Sequence, residues 1–183
     1  MFLTVTGSTA FSQANINKGD WMLGGTAGFN SSKMKDVDES QTTTINISPD
    51  AGYFFINQFA GGVRFQFTST KVKGEDATSS VLAAPFLRYY FLPSTKKANV
   101  FLDASYGFGS VKYNPGTGST TDGLNQFGVT GGVAVFLTPA TALEFGLGYT
   151  SVGGDAIGDK RVNNIGFNIG FQIHLAGGGG AAK

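Results

Sequence analysis

From residue 21 onward the chain reads as a succession of segments in which apolar side chains take every second position. The last segment is the clearest: Ile165, Phe167, Ile169, Phe171, Ile173 and Leu175 alternate with Asn164, Gly166, Asn168, Gly170, Gln172 and His174. One face is greasy and the other is small or polar. Trp21, Leu23, Ala27 and Phe29 against Gly24, Thr26, Gly28 and Asn30 repeat the pattern, as do Gly61, Val63, Phe65 and Phe67 against Gly62, Arg64, Gln66 and Thr68. Further segments over residues 43–55, 81–91, 99–113, 126–137 and 142–151 bring the expectation to about eight strands. Clusters of Gly, Asp, Ser, Thr and Pro separate them, and no segment carries a helical period.

The expected connections alternate in length. Residues 32–41, 71–79, 114–123 and 153–161 are long, whereas those around Asn57, at 94–97 and at 138–141 are shorter. An even number of strands closed in an up-and-down sheet brings both termini to one end, and long loops opposite short turns is the pattern of outer-membrane barrels. The direction of the greasy face decides the solvent. A barrel of about eight strands has an interior just wide enough for modest side chains, so dozens of Phe, Ile, Leu and Val cannot point inward. Turned outward they supply a lipid-contacting band, while Gly, Ala, Asn, Thr and Gln fill the lumen. Trp21, Tyr53, Phe55, Phe59, Tyr89, Phe91, Tyr113 and Tyr149, near segment ends, then form interfacial girdles.

This arrangement resembles the small outer-membrane barrels of the OmpA-transmembrane and OmpX type, and more loosely the generic outer membrane protein β-barrel domain family common in Bacteroidota. The resemblance covers residues 19–175 and rests on pattern. It implies an all-β fold, a closed up-and-down antiparallel transmembrane β-barrel, placed in the cell outer membrane. Two departures stand out. Members of the family usually end the last strand on an aromatic residue, and here it ends at Leu175 with Phe171 the nearest aromatic on that face. Pro49 and Pro85 fall inside expected strands, where a closed sheet has no edge to excuse a missing amide, so each is expected at a bulge.

Composition narrows the classes further. Thirteen basic and twelve acidic side chains leave a formal charge of +1, without the basic excess of a nucleic-acid binder. The 28 glycines and a charged fraction of 14% argue against a helical bundle, and the absence of cysteine with a single histidine removes disulfide scaffolds and the usual zinc cages. No cofactor is implied. No apolar run is long enough for a spanning helix, which leaves a spanning barrel open. Residues 1–14 read as a signal-peptide remnant, 15–175 as the barrel and 176–183 as a flexible Gly-rich tail or linker.

On the expected lumen face lie Asp50, Arg64, Arg88, Asp103, Glu144 and His174. A turn centred on Asn57 sets Asp50 across from Arg64, and plausible registers bring Arg88 beside Arg64 and Asp103 beside Arg88. Buried charges are costly unless paired, so this belt reads first as an ion-pair plug and second as a selectivity constriction. Small barrels that act on lipid A use a serine and a histidine, and they resemble this chain in architecture. Asp103 and Ser105 share a face, but His174 is followed by Leu175 and Ala176, without a His-x-Ser pair. Gly19-Asp20-Trp21 matches the short opening signature of lipocalins. Asp36, Asp38 and Glu39, and Asp155 and Asp159, match no complete calcium loop, so no metal site is expected.

The expectation is therefore a non-enzymatic outer-membrane barrel, a structural and interaction module that binds through extracellular loops, with Ile165, Phe167, Ile169, Phe171 and Ile173 facing lipid. Lys33, Lys35, Lys71, Lys73, Lys160 and Arg161 sit near the outer rim, where cations meet lipopolysaccharide phosphates. Membrane lipid, lipopolysaccharide and a further envelope protein are the expected partners. A narrow pore for ions or small apolar solutes is the alternative, and a soluble lipocalin-like carrier the third reading.

Overall fold

The computed structural model describes residues 13–32, 41–113, 120–155 and 158–177. Eight antiparallel strands close into a barrel in chain order. They are β1 (Trp21–Ser32), β2 (Thr42–Ile56), β3 (Phe59–Val72), β4 (Thr78–Tyr90), β5 (Ala98–Tyr113), β6 (Thr120–Thr138), β7 (Thr141–Gly154) and β8 (Gly158–Leu175). Trp21 pairs with both Tyr53 and Leu175, so both ends of the sheet meet at one rim, called here the terminal end. Two connections at that end are two-residue turns, Asn57-Gln58 and Pro139-Ala140, in keeping with short periplasmic turns.

The strands outrun the alternation that revealed them. β6 starts at Thr120 and β8 at Gly158, so most of the segments read as long connections at 114–123 and 153–161 belong to strands where they are described. The third terminal-end connection, residues 91–97, is longer than the far-end connection at 73–77, so connection length does not alternate as expected. The reason lies in the solvent. Apolar alternation is imposed by lipid, and a strand that continues past the bilayer keeps its hydrogen bonds without keeping its greasy face.

Neither interior proline sits at a bulge. The β2–β3 ladder runs through Ile47↔Phe67, skips Ser48 and Pro49, and resumes at Asp50↔Arg64 in the same register. The β4–β5 ladder likewise skips Ala84 and Pro85 between Ala83↔Phe108 and Phe86↔Ser105. A proline removes one donor, and each strand absorbs the loss as a local gap while its other side stays paired, Pro49 with Gly25 and Pro85 with Val63. Gly25, at φ +148°, lies so close to β2 that a Cβ there would stand 2.3 Å from the Ser48 carbonyl oxygen. The irregularities that do shift register lie at Phe54/Ile56, Phe136/Thr138 and Val152/Gly154, beside turns.

One joint differs from the rest. β1 and β8 pair over six positions, from Trp21↔Leu175 to Thr26↔Gly170. Beyond these, β1 continues to Ser32 along β2, and β8 comes down from Gly158 along β7. Among the described residues no further β1–β8 pair forms.

The wall faces outward with its apolar residues. Ile165, Phe167, Ile169, Phe171 and Ile173 are all exposed, and the exposure climbs from 40% at Ile173 to 76% at Ile165. At the terminal end Trp21 touches Tyr53 (ring centroids 5.1 Å apart), and Phe55, Phe59, Tyr89 and Phe91 follow in consecutive contact at 5.3, 6.3 and 5.0 Å. These rings form a collar where hydrocarbon gives way to headgroups. The Tyr113 side chain lies outside the described residues.

Candidate functional site

The lumen is filled in layers, and the layer at the terminal end departs from the expectation that small and polar residues line it. Met22, Phe54, Tyr90, Phe101 and Phe136 point inward and are fully buried or nearly so, with Ala60, Ala134 and Ala142 between them. Ala60, Ala134 and Ala142, inward in the same layer, leave the rings room. Residues 13–20, set aside in part as a signal-peptide remnant, complete this layer: Ala14 and Ile16 are fully buried in it.

The segment crosses the terminal mouth as a strap and is hydrogen-bonded at each connection it passes. The Ala14 N–H donates to the Ser94 carbonyl (2.8 Å), the Asn15 N–H to the Pro139 carbonyl (2.9 Å) and the Gln58 N–H to the Ile16 carbonyl (2.8 Å). Asn15 Nδ2 donates to the His174 carbonyl at 2.9 Å, and Gln13 Nε2 to Ser94 Oγ. Gln58, the one non-glycine described at positive φ (68°), also sends its side-chain amide to the carbonyls of Tyr90 and Leu92. The turn residue thereby ties strap, β2–β3 turn and β4 end together.

Above the aromatic layer lies the charged one. Arg64 grips Asp103 with both terminal nitrogens at 3.1 Å and reaches Asp50 at 3.3 Å. Arg88 donates Nε to Asp103 at 3.1 Å and Nη1 to Glu144 at 2.9 Å. Asp50 does stand across from Arg64 and Asp103 across from Arg88, but Arg88 pairs with Ala60, not Arg64. The two guanidiniums are joined through the Asp103 carboxylate, which offsets their mutual repulsion. Phe86 lies 4.9 Å from the Arg64 guanidinium carbon, and Phe101 lies 4.7 Å from that of Arg88, so ring faces cover what carboxylates leave open.

His174 stands outside this network, contrary to its place in the expected belt. Its ring touches Phe54, Tyr90 and Phe136 and sets Nδ1 3.2 Å from the Asn15 carbonyl oxygen, which makes it part of the aromatic layer. The residue that joins the two layers is Tyr90, whose hydroxyl donates to Glu144 at 3.0 Å. Gln172 adds the β8 wall by donating Nε2 to Asp50 at 2.9 Å. Both were legible only as inward positions in their alternations, and nothing else in the sequence marked them.

Toward the far end the lumen opens into a chamber of about 140 Å³. Arg64, Arg88, Asp103 and Glu144 form its floor, and Thr26, Ser48, Gln66, Ser105, Gln126, Thr130, Thr150 and Asn168 its walls, with Gly128, Gly146 and Gly170 between them. Gln126 Nε2 crosses to Gln66 Oε1 at 3.1 Å. At the rim, Arg161 is turned to Ser151 (2.9 Å) and Asn125 (2.8 Å), whereas Lys71, Lys73 and Lys160 are exposed. Lys33, Lys35, Asp36, Asp38 and Glu39, with the Asp159 side chain, lie outside the described residues. Among the described residues no cluster of His, Cys, Asp and Glu could hold a metal ion.

Solved structures with this architecture include Neisserial surface protein A (NspA), with a TM-score of 0.59 at 18% identity over 85% of this chain and 97% of that one. The N-terminal β-barrel domain of Pseudomonas aeruginosa OprF is similar at a TM-score of 0.53 and 9% identity, over 86% of this chain and 97% of that one. No curated protein matches. At these identities the structures speak for the fold alone. The outer membrane protein β-barrel domain family matches residues 1–174, nearly the whole chain. This chain, an eight-stranded closed sheet with an apolar outer band, an aromatic collar and a charged interior, belongs to that family and is a protein of the cell outer membrane.

Proposed function

We propose that the chain is a non-enzymatic structural and interaction module of the outer membrane, held by its apolar band and binding through its far-end connections. The observation that carries this reading is the closure of the lumen in series: a hydrogen-bonded strap, an aromatic layer and an ion-pair layer stand between the terminal mouth and the chamber. A pore needs a continuous water path, and these layers argue against one. The chemistry of a Ser–His relay is equally unsupported, because Ser105 lines the chamber while His174 is held in the aromatic layer against Asn15. The soluble-carrier reading falls with the outer-membrane placement.

The exposed Lys71, which stands across from Thr43 on the outward face, and Lys73 beside it are suited to phosphates of lipopolysaccharide. Planar-bilayer recording tests the module against the pore. Wild type, Arg64→Ala and Arg88→Ala are expected to show no sustained current, and steady cation-shifted channels in the arginine variants would replace this reading by the pore. Shortening residues 73–77 is expected to leave heat-modifiable mobility intact and to weaken binding to lipopolysaccharide.

A further inference from the structure

The short β1–β8 joint poses a chemical problem. Both strands run past Thr26↔Gly170, but from Ala27 and Ile169 upward their facing edges are unpaired. A strand crosses the hydrocarbon in about 9 to 11 residues, and counting from the collar at Trp21 and Leu175 places Ala27 to Phe29 and Ile169 to Ile165 in the outer half of the bilayer. Backbone N–H and C=O groups there are strongly unfavourable in hydrocarbon if nothing satisfies them. The side chains describe an opening as well. Phe29, Ile165 and Phe167 are 71, 76 and 66% exposed, among the most exposed apolar residues of the wall, and the lumen-facing Asn164, Gly166 and Asn168 are also exposed.

What lies behind the opening is the chamber, since Thr26, Asn168 and Gly170 line it. One inward position below, Gln172 is 1% exposed and leaves its Oε1 without a partner. We propose that the β1–β8 seam is a lateral portal for a single-chain neutral amphiphile of the outer leaflet, its polar head in the chamber and its chain passing between the strand edges into lipid.

Three observations select that ligand. The chamber's 140 Å³ is close to the roughly 150 Å³ cavity that takes up benzene, so a head of about six non-hydrogen atoms fits, the size of glycerol. Its lining of hydroxyls and carboxamides offers donors and acceptors without a free charge. The ion-pair layer beneath it sets three carboxylates, Asp50, Asp103 and Glu144, against two guanidiniums, Arg64 and Arg88, so both guanidiniums are already engaged and none is left for a phosphate or carboxylate head. A monoacylglycerol meets all three conditions, and its ester carbonyl, at the junction of head and chain, can accept from an N–H of the strand edges it passes.

The folded chain in dodecyl maltoside micelles, with monooleoylglycerol as probe and native mass spectrometry as readout, tests the portal. Wild type is expected to retain one equivalent, and to hold oleate at least about tenfold more weakly. Thr150→Phe fills the chamber from β7 and is expected to weaken retention by at least about tenfold with heat-modifiable mobility unchanged. The chain has no cysteine, so a cross-seam pair, Ala27→Cys with Ile169→Cys, contains its only thiols. That pair is expected either to resist oxidation, while Leu23→Cys with Ile173→Cys in the paired part oxidises, or to lose monooleoylglycerol once bridged. Retention no greater than in empty micelles, equal retention by Thr150→Phe, oleate bound as well as monooleoylglycerol, or a bridged seam with retention intact would each overturn the proposal. None of these outcomes bears on conductance, so the portal and the closed-lumen reading fail separately.

Discussion

The two halves of the lumen share one wall and are filled on opposite principles. Toward the terminal end, rings and ion pairs exclude water, and the charged groups and the strap are held by neighbours: Arg88 by Asp103 and Glu144, Glu144 by Tyr90, and the strap by the turns it crosses. Toward the far end, glycines, hydroxyls and carboxamides line a chamber, and the joint between first and last strands stops short. Stability is therefore concentrated in one half and adaptability in the other, a division that a uniform sheet does not require. Binding groups need room, and here the room lies where few interactions depend on its being filled.

The sharpest way to break this contrast is Asp103→Ala, which leaves the buried Arg88 and the part-buried Arg64 without their shared partner. A loss of about 3 to 5 kcal/mol in urea unfolding from vesicles is expected, and a loss near that of a surface substitution would mean the ion layer is hydrated like the chamber. Next in size is Ile169→Arg, which puts a charge into lipid and is expected to cost about 2 to 4 kcal/mol, whereas Asn168→Arg on the lumen side should be tolerated. Equal folding yields for the two would defeat the assignment of faces.

Ile16→Ala probes the strap and should cost about 2 kcal/mol through the void it leaves in the buried aromatic layer. An unchanged urea midpoint would show the strap to be an ornament on a self-sufficient barrel. The smallest effect is expected from Gln126→Ala in the chamber, below about 1 kcal/mol, because water can replace a hydrogen bond that it already reaches. A large loss there would erase the difference between the halves.

Alternation was enough to read the barrel, its strand number and the two cross-strand ion pairs Asp50–Arg64 and Asp103–Arg88, because period two and the turn at Asn57 together set register. It was blind to depth. Phe86 and Phe101 are inward aromatics on strands whose outward faces are equally apolar, so a run greasy on both sides does not say which rings meet lipid and which cover a guanidinium. The strap was missed for a different reason. Eight residues without a period carry no signal of their own, and Ala14 and Ile16 are core only because three separate connections and the end of β8 converge on the segment. The place where β1 and β8 part company is likewise unmarked, since residues on either side of Thr26 and Gly170 continue the same alternation.

The strap also has a consequence for the order of events during assembly. Its partners come from the β2–β3, β4–β5 and β6–β7 connections and from the end of β8, sites far apart in the chain. Until the sheet has closed, these groups are not near one another, and a segment with scattered partners has nothing to bind. Docking of residues 13–20 is thus the final, cooperative step of folding, a latch that can engage only on a finished barrel. Amide exchange at Gln58 and Asn15, whose N–H groups are donated across that latch, would time the moment of closure.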